Sequence, residues 1–318
     1  MTRPRARKPT PGKPGAGKPT PGKPAAGKRP RGKPSERNPF YARLPRLAWL
    51  FIALAIIGTV VFIVIYPTTR PPSDHWPPRA AIVDQLYNLQ PNLPFIAEVT
   101  GELEDYGFQV SLHQGDEIDV DFYRELPTHG YSLLVLRVHS GLLGAGEQAY
   151  PPTLLFTNEE YSRHSHRAEQ VFDRLAMGRP GPGQPGVFGI TPTFVTGSMG
   201  GTFDDTVVIL MGCGGIYLED MAEAFIQKGA SAYVAWDHSV LLSYVDDATP
   251  YLIRELCSQQ ATMKQVVDRT MSAFGPDPDH GARLQYYPPG IGDKTLAELA
   301  HIEFPREDDT TDSPEDND

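Results

Sequence analysis

Three places in the 318-residue chain set reactive side chains where an apolar run ends. The first reads Leu-Arg-Val-His-Ser-Gly and leaves His139 and Ser140 just past a run of aliphatic residues. The second reads Leu-Met-Gly-Cys-Gly-Gly and puts Cys213 on a glycine-rich turn. The third reads Ala-Trp-Asp-His-Ser and places Asp237 and His238 at the close of another run. A thiol beside an imidazole is a nucleophile–base pair for acyl transfer. If the turn opens a helix, the helix dipole favours the Cys213 thiolate. The backbone amides of Gly214 and Gly215 can approach an oxyanion closely, because glycine carries no side chain. Taken singly, such a cysteine is more often a small buried residue, and such a histidine a structural one. The reading rests on their pairing at two strand ends. Asp237, Asp246 and Asp247 are candidates for an acidic pocket that selects a basic side chain, against the alternative of a solvated acidic rim.

These residues need elements to position them. The apolar runs 80–86, 108–112, 132–138, 153–156, 206–211 and 230–236 read as strands, several of them β-branched and uniformly apolar. Helical spacing occupies 93–106, 120–126, 165–177, 217–228, 246–258 and 263–274. Strands too uniformly apolar for a one-sided sheet, alternating with helices, predict an α/β fold with a mostly parallel sheet and helices on both faces. In such folds ligands bind beyond the carboxyl ends of the strands, where all three reactive sites fall.

Competing motifs are weaker. Gly212-x-Gly214 imitates a dinucleotide fingerprint, but Tyr217 stands where the third glycine belongs. Gly12 to Lys18 imitates a phosphate-binding loop, but Pro19 replaces the Ser/Thr and no strand precedes it. His164-x-His166 reads as a surface pair, and no metal or other cofactor is expected. Cys213 and Cys257 are the only cysteines. They exclude a disulfide scaffold, and a bond between them would remove the nucleophile.

The pattern resembles the caspase/haemoglobinase superfamily of cysteine peptidases, including caspase-like and CHAT domains. The resemblance is carried by 133–141, ending in His139, and by 207–215, holding Cys213. It continues in 221–229, in the Gly229-Ala230 to Trp236 stretch, and in the segment with Asp246 and Asp247. It implies a caspase-like mostly parallel sheet, with Cys213 as nucleophile and His139 as base. It implies peptide or protein substrates. The alternative function is a catalytically silent caspase-like domain that binds peptide or protein partners at a membrane surface.

Charge divides the chain. Residues 1–47 hold 14 Lys/Arg and one acid, while everything after Tyr66 holds 15 Lys/Arg and 38 Asp/Glu. The expected organisation is a disordered basic Lys/Pro/Gly repeat tail over 1–46 and a transmembrane helix over 47–66. A Pro-rich linker over 67–79, a caspase-like α/β domain over 80–305 and an acidic disordered tail over 306–318 follow. The run 47–66 has no charge and is long enough to span ~30 Å of hydrocarbon. With a basic flank, it predicts a single-pass membrane protein with its N-terminus cytoplasmic and its C-terminal domain extracytoplasmic. Lipid contact is expected from that helix and the basic tail. Nucleic acid is not expected for the acidic domain, which repels phosphate.

Overall fold

The computed structural model describes residues 77–143, 150–181 and 183–303. The expected basic tail, membrane helix, most of the linker and the acidic tail lie outside the described residues. In chain order the strands are β1 (Arg79–Asp84), β2 (Gln109–Gln114), β3 (Leu133–Arg137), β4 (Ser140–Leu143) and β5 (Tyr150–Glu160). They continue with β6 (Leu175–Gly178), β7 (Val187–Ile190), β8 (Val207–Leu210), β9 (Ala232–Trp236) and β10 (Leu284–Tyr287). The helices are α1 (Leu93–Tyr106), α2 (Val120–Glu125), α3 (Arg167–Val171), α4 (Pro192–Gly197), α5 (Asp220–Gln227), α6 (Leu242–Leu256), α7 (Met263–Phe274) and α8 (Leu296–Leu299).

The fold is α/β, built on a mixed, mostly parallel six-stranded sheet of order β10-β9-β8-β3-β1-β2. The five strands from β2 to β9 are parallel, and β10 joins β9 antiparallel. Side chains alternate across this sheet, so β1, β3, β8 and β9 each feed two cores. Ile82, Val135, Ile209 and Val234 face α1, α6 and α7. Val83, Leu136, Leu210 and Tyr233 face α2, α4 and α5. Burial on both sides explains why these strands read as unbroken apolar runs.

Local signals set the helix ends. Asn92 accepts the Phe95 amide at the start of α1, and Gly107, at φ 110°, closes it in the left-handed region that favours glycine. Thr262 and Gln265 form a reciprocal capping box on α7.

The segment between β3 and β8 departs from expectation. It folds into a second, antiparallel sheet of order β4-β5-β7-β6. The helix expected over 165–177 shrinks to the five residues of α3, none of them buried. Without a buried face so short a helix has little to hold it. The chain then turns through Asp173, at φ 53°, and Leu175–Gly178 pairs with β7 instead.

The expectation of a single-pass membrane protein is corrected. Among the described residues no helix is long and apolar enough to cross a membrane. The longest, α6, has 15 residues and a mixed surface. The run 47–66 lies outside the described residues, so the localisation drawn from it is withdrawn.

Candidate functional site

Because β3 and β8 are adjacent and parallel, pairing Leu136 with Leu210, their carboxyl ends leave the sheet side by side. Met211 extends the pairing through its amide to the Leu136 carbonyl, at 2.9 Å. Beyond it the two chains nearly touch. A Cβ on Gly212 would lie 2.0 Å from Ser140 Oγ and 2.7 Å from the Val138 carbonyl oxygen. Ser140 Oγ donates to the Cys213 carbonyl at 2.8 Å. The histidine and cysteine segments are thus stitched together through their neighbours, and Gly212 is the residue that permits it.

His139 is half-buried. Its amide donates to Gln85 Oε1 at 2.9 Å, and its carbonyl accepts the Phe156 amide at 2.9 Å. Gln85, fully buried at the end of β1, also donates to Asn158 Oδ1 at 2.7 Å. The imidazole rests tilted on the Phe156 ring, 5.9 Å between centroids. Its nitrogens have no hydrogen-bond partner among the described residues. Burial, and next the Arg137 guanidinium, hold its pKa below the ordinary histidine value.

The Cys213 thiol meets a different partner. Sγ accepts the Val240 amide at 3.5 Å and donates to the Val240 carbonyl at 3.6 Å. It is not hydrogen-bonded to His139, so the nucleophile–base contact is not formed in this arrangement. The turn after Cys213 also differs from expectation. Gly214, at φ 60°, donates its amide to the His238 carbonyl at 2.8 Å and is not directed at a ligand. Gly215 is buried, and an added Cβ would lie 2.3 Å from Leu210 Cδ2. Helix α5 starts at Asp220, not at Tyr217, so Cys213 does not sit on a helix N-terminus. Gly212 and Gly215 serve close packing, while Gly214 supplies the left-handed turn. Both cysteines are free, and burial pushes the Cys257 thiol up to about 12.

The three acids do not converge. Asp246 pairs with Arg137 through both oxygens, at 2.8 Å each, and accepts from Asn92 Nδ2 at 2.9 Å. Asp247 is exposed on α6. Asp237 accepts the Arg283 amide at 2.7 Å and faces His238 Nδ1 at 2.9 Å, joining β9 to β10. Asp246 is therefore a structural counter-ion. His166, expected at the surface, faces Glu159 at 2.8 Å.

Sequence reasoning passed over Arg137, which has no exposed surface and also pairs with the fully buried Asp84 at 2.8 Å. Burial raises the Asp84 carboxyl above its ordinary range, against the pull of Arg137. A charge inside an otherwise apolar strand was the available signal, because a buried charge requires a partner. Val240 and Asp277 were also missed. Asp277, 2% exposed, accepts the amides of Leu241, Asp279 and His280 at 2.8, 3.0 and 2.7 Å. Those three amides and the His280 charge outweigh its burial and hold its carboxyl below the ordinary value.

Neither a protein-family model nor a curated protein matches this chain.

Proposed function

We propose that residues 80–305 form a caspase-like cysteine peptidase domain, with Cys213 as nucleophile and His139 as base. The observation that carries this reading is the adjacency of β3 and β8, whose ends set His139 and Cys213 on neighbouring segments bonded through Ser140. Their order along the chain and the apolar strands leading to them are those of the resemblance. In the reaction, His139 takes the thiol proton and Sγ attacks the scissile carbonyl carbon. The tetrahedral oxyanion collapses to a thioester as the amine leaves with the proton from His139. Water, deprotonated by His139, then hydrolyses the thioester and regenerates the thiol.

A second reading has an observation of its own. The thiol is engaged by Val240 and the Gly214 amide by His238, which favours a catalytically silent domain that binds a peptide or protein.

Turnover of a fluorogenic peptide library by the full chain separates the two. The peptidase reading expects cleavage that Cys213→Ser abolishes and His139→Ala reduces by a factor of at least ~100. A library left intact by the folded chain, together with peptides bound but not cut, sinks it in favour of the silent domain.

A further inference from the structure

The five residues from Asp237 to Leu241 join β9 to α6 and cross the Cys213 turn. They are fastened at four places. The His238 carbonyl takes the Gly214 amide at 2.8 Å. The Val240 amide and carbonyl occupy both the accepting and donating sides of the thiol, at 3.5 and 3.6 Å. The Leu241 amide is held by Asp277 Oδ2 at 2.8 Å. At the other end the Asp237 carboxylate takes the Arg283 amide at 2.7 Å, and its own amide donates to the Arg283 carbonyl at 3.0 Å.

Between these anchors His238 and Ser239 are exposed, while Val240 is turned inward at 9% exposure. The contacts of this segment on the Cys213 turn are main-chain bonds, one thiol pair and an edge-on packing of the His238 and Tyr217 rings, 5.3 Å between centroids. Hydrogen bonds to sulfur are weak, and a thiol costs less to release than a buried charge. Asp277 is different. It is a carboxylate covered by the fold, its oxygens committed to three amides, and it fixes the exit of the loop where α6 begins.

We propose that the Asp237–Leu241 segment is an internal strap on Cys213. Closed, it satisfies the thiol with Val240 and consumes the Gly214 amide with His238. Opened, it frees both together, so nucleophile and neighbouring donor become available in one movement. The strap regulates the site assigned above and rests on Cys213 being its nucleophile. Asp277 is the positioning residue that keeps the strap shut.

The test reads thiol exposure and not turnover. In the full chain carrying Cys257→Ala, so that Cys213 is the sole thiol, alkylation by iodoacetamide is timed under native conditions. Two variants loosen the strap. Leu241 sits at φ −72°, which proline adopts, so Leu241→Pro removes the N–H that Asp277 holds without straining that angle. Asp277→Asn places an amide donor or a weaker acceptor against the same N–H. Each variant is expected to alkylate about tenfold faster than its parent with unchanged circular dichroism, the effect of losing one such bond. Folded variants that label at the parent rate, or a parent that labels as fast as a free thiol, overturn the strap.

Hydrogen exchange of the unmutated chain gives an independent reading. Gly214, Val240 and Leu241 amides are expected to exchange with one common opening, well before global unfolding. Exchange of these amides only with global unfolding overturns the strap as well. Faster alkylation with no peptide cleavage in any variant keeps the strap and discards the peptidase. Cleavage by a parent whose labelling the variants do not change does the reverse.

Discussion

Arg137 and Cys213 stand at the carboxyl edge of the same sheet, at the ends of neighbouring strands, and are held in opposite ways. Arg137 has no exposed surface and is gripped by side chains, with Asp84 on one side and Asp246 on the other. The Gln90 carbonyl and the face of the Phe95 ring complete its surroundings. Cys213 is half-buried, and its thiol is held by the main chain of a loop. A buried guanidinium must keep its partners, because an uncompensated charge in the interior costs several kcal/mol. A thiol loses little when released. One edge of the sheet therefore carries a fixed part at the end of β3 and a releasable part beyond the adjacent β8.

The largest expected effect breaks the fixed part. Arg137→Ala leaves Asp84 and Asp246 without their cation and is expected to cost about 3–5 kcal/mol in urea unfolding. A loss below about 1 kcal/mol would show that the two carboxylates are readily neutralised and that the contrast with Cys213 is overstated. Next comes the contact between the two regions. Gly212→Ala forces a methyl against Ser140 Oγ and the Val138 carbonyl and is expected to cost about 1–3 kcal/mol. An unchanged midpoint would mean that the strand ends separate freely. Ser140→Ala removes the single bond to the Cys213 carbonyl, for about 0.5–1.5 kcal/mol.

The pH dependence sharpens the comparison further. His139 has a folded pKa below its ordinary 6.5, so the folded chain holds fewer protons on this ring than the unfolded chain. Its contribution is fully present above pH 6.5 and is lost as pH falls from there through the folded value. The slope of stability against pH below 6.5 is expected to diminish in His139→Gln, as read from thermal midpoints. A slope unaffected by the substitution removes His139 from the account. Smallest of all, Asp247→Asn on the exposed face of α6 is expected to stay within ±0.5 kcal/mol in the same assay.

Much of the main sheet was legible from the residues. Strands buried on both faces leave a strong apolar signature, and the runs 132–138, 206–211 and 230–236 contain β3, β8 and β9 with one or two residues to spare. Helices α1 and α7 begin and end where spacing and caps put them, at Leu93–Tyr106 and Met263–Phe274. Of the second sheet only part of β5 was legible, as the run 153–156. Its strands β4 and β6 have four residues each and are only partly buried, and such short pieces draw their structure from partners distant in sequence. Strand β10 escaped for the same reason: Leu284–Tyr287 is a strand because β9 pairs with it.

The candidate site divides along the same line. The order of His139 and Cys213, and their place after apolar strands, follow from sequence periodicity, which depends on local side-chain chemistry. The partner of each group does not. Asp246 meets Arg137 across 109 residues, and Val240 meets the thiol across 27. The sequence by itself determined the α/β character, the principal strands and the reactive residues at their ends, because burial and backbone preference act over a few residues. Only the tertiary structure decided that the acids part company, that the Gly214 amide is spent on the His238 carbonyl, and that a loop holds the thiol. Those outcomes depend on which elements pack together, and hydrogen-bond partners are chosen by distance in space.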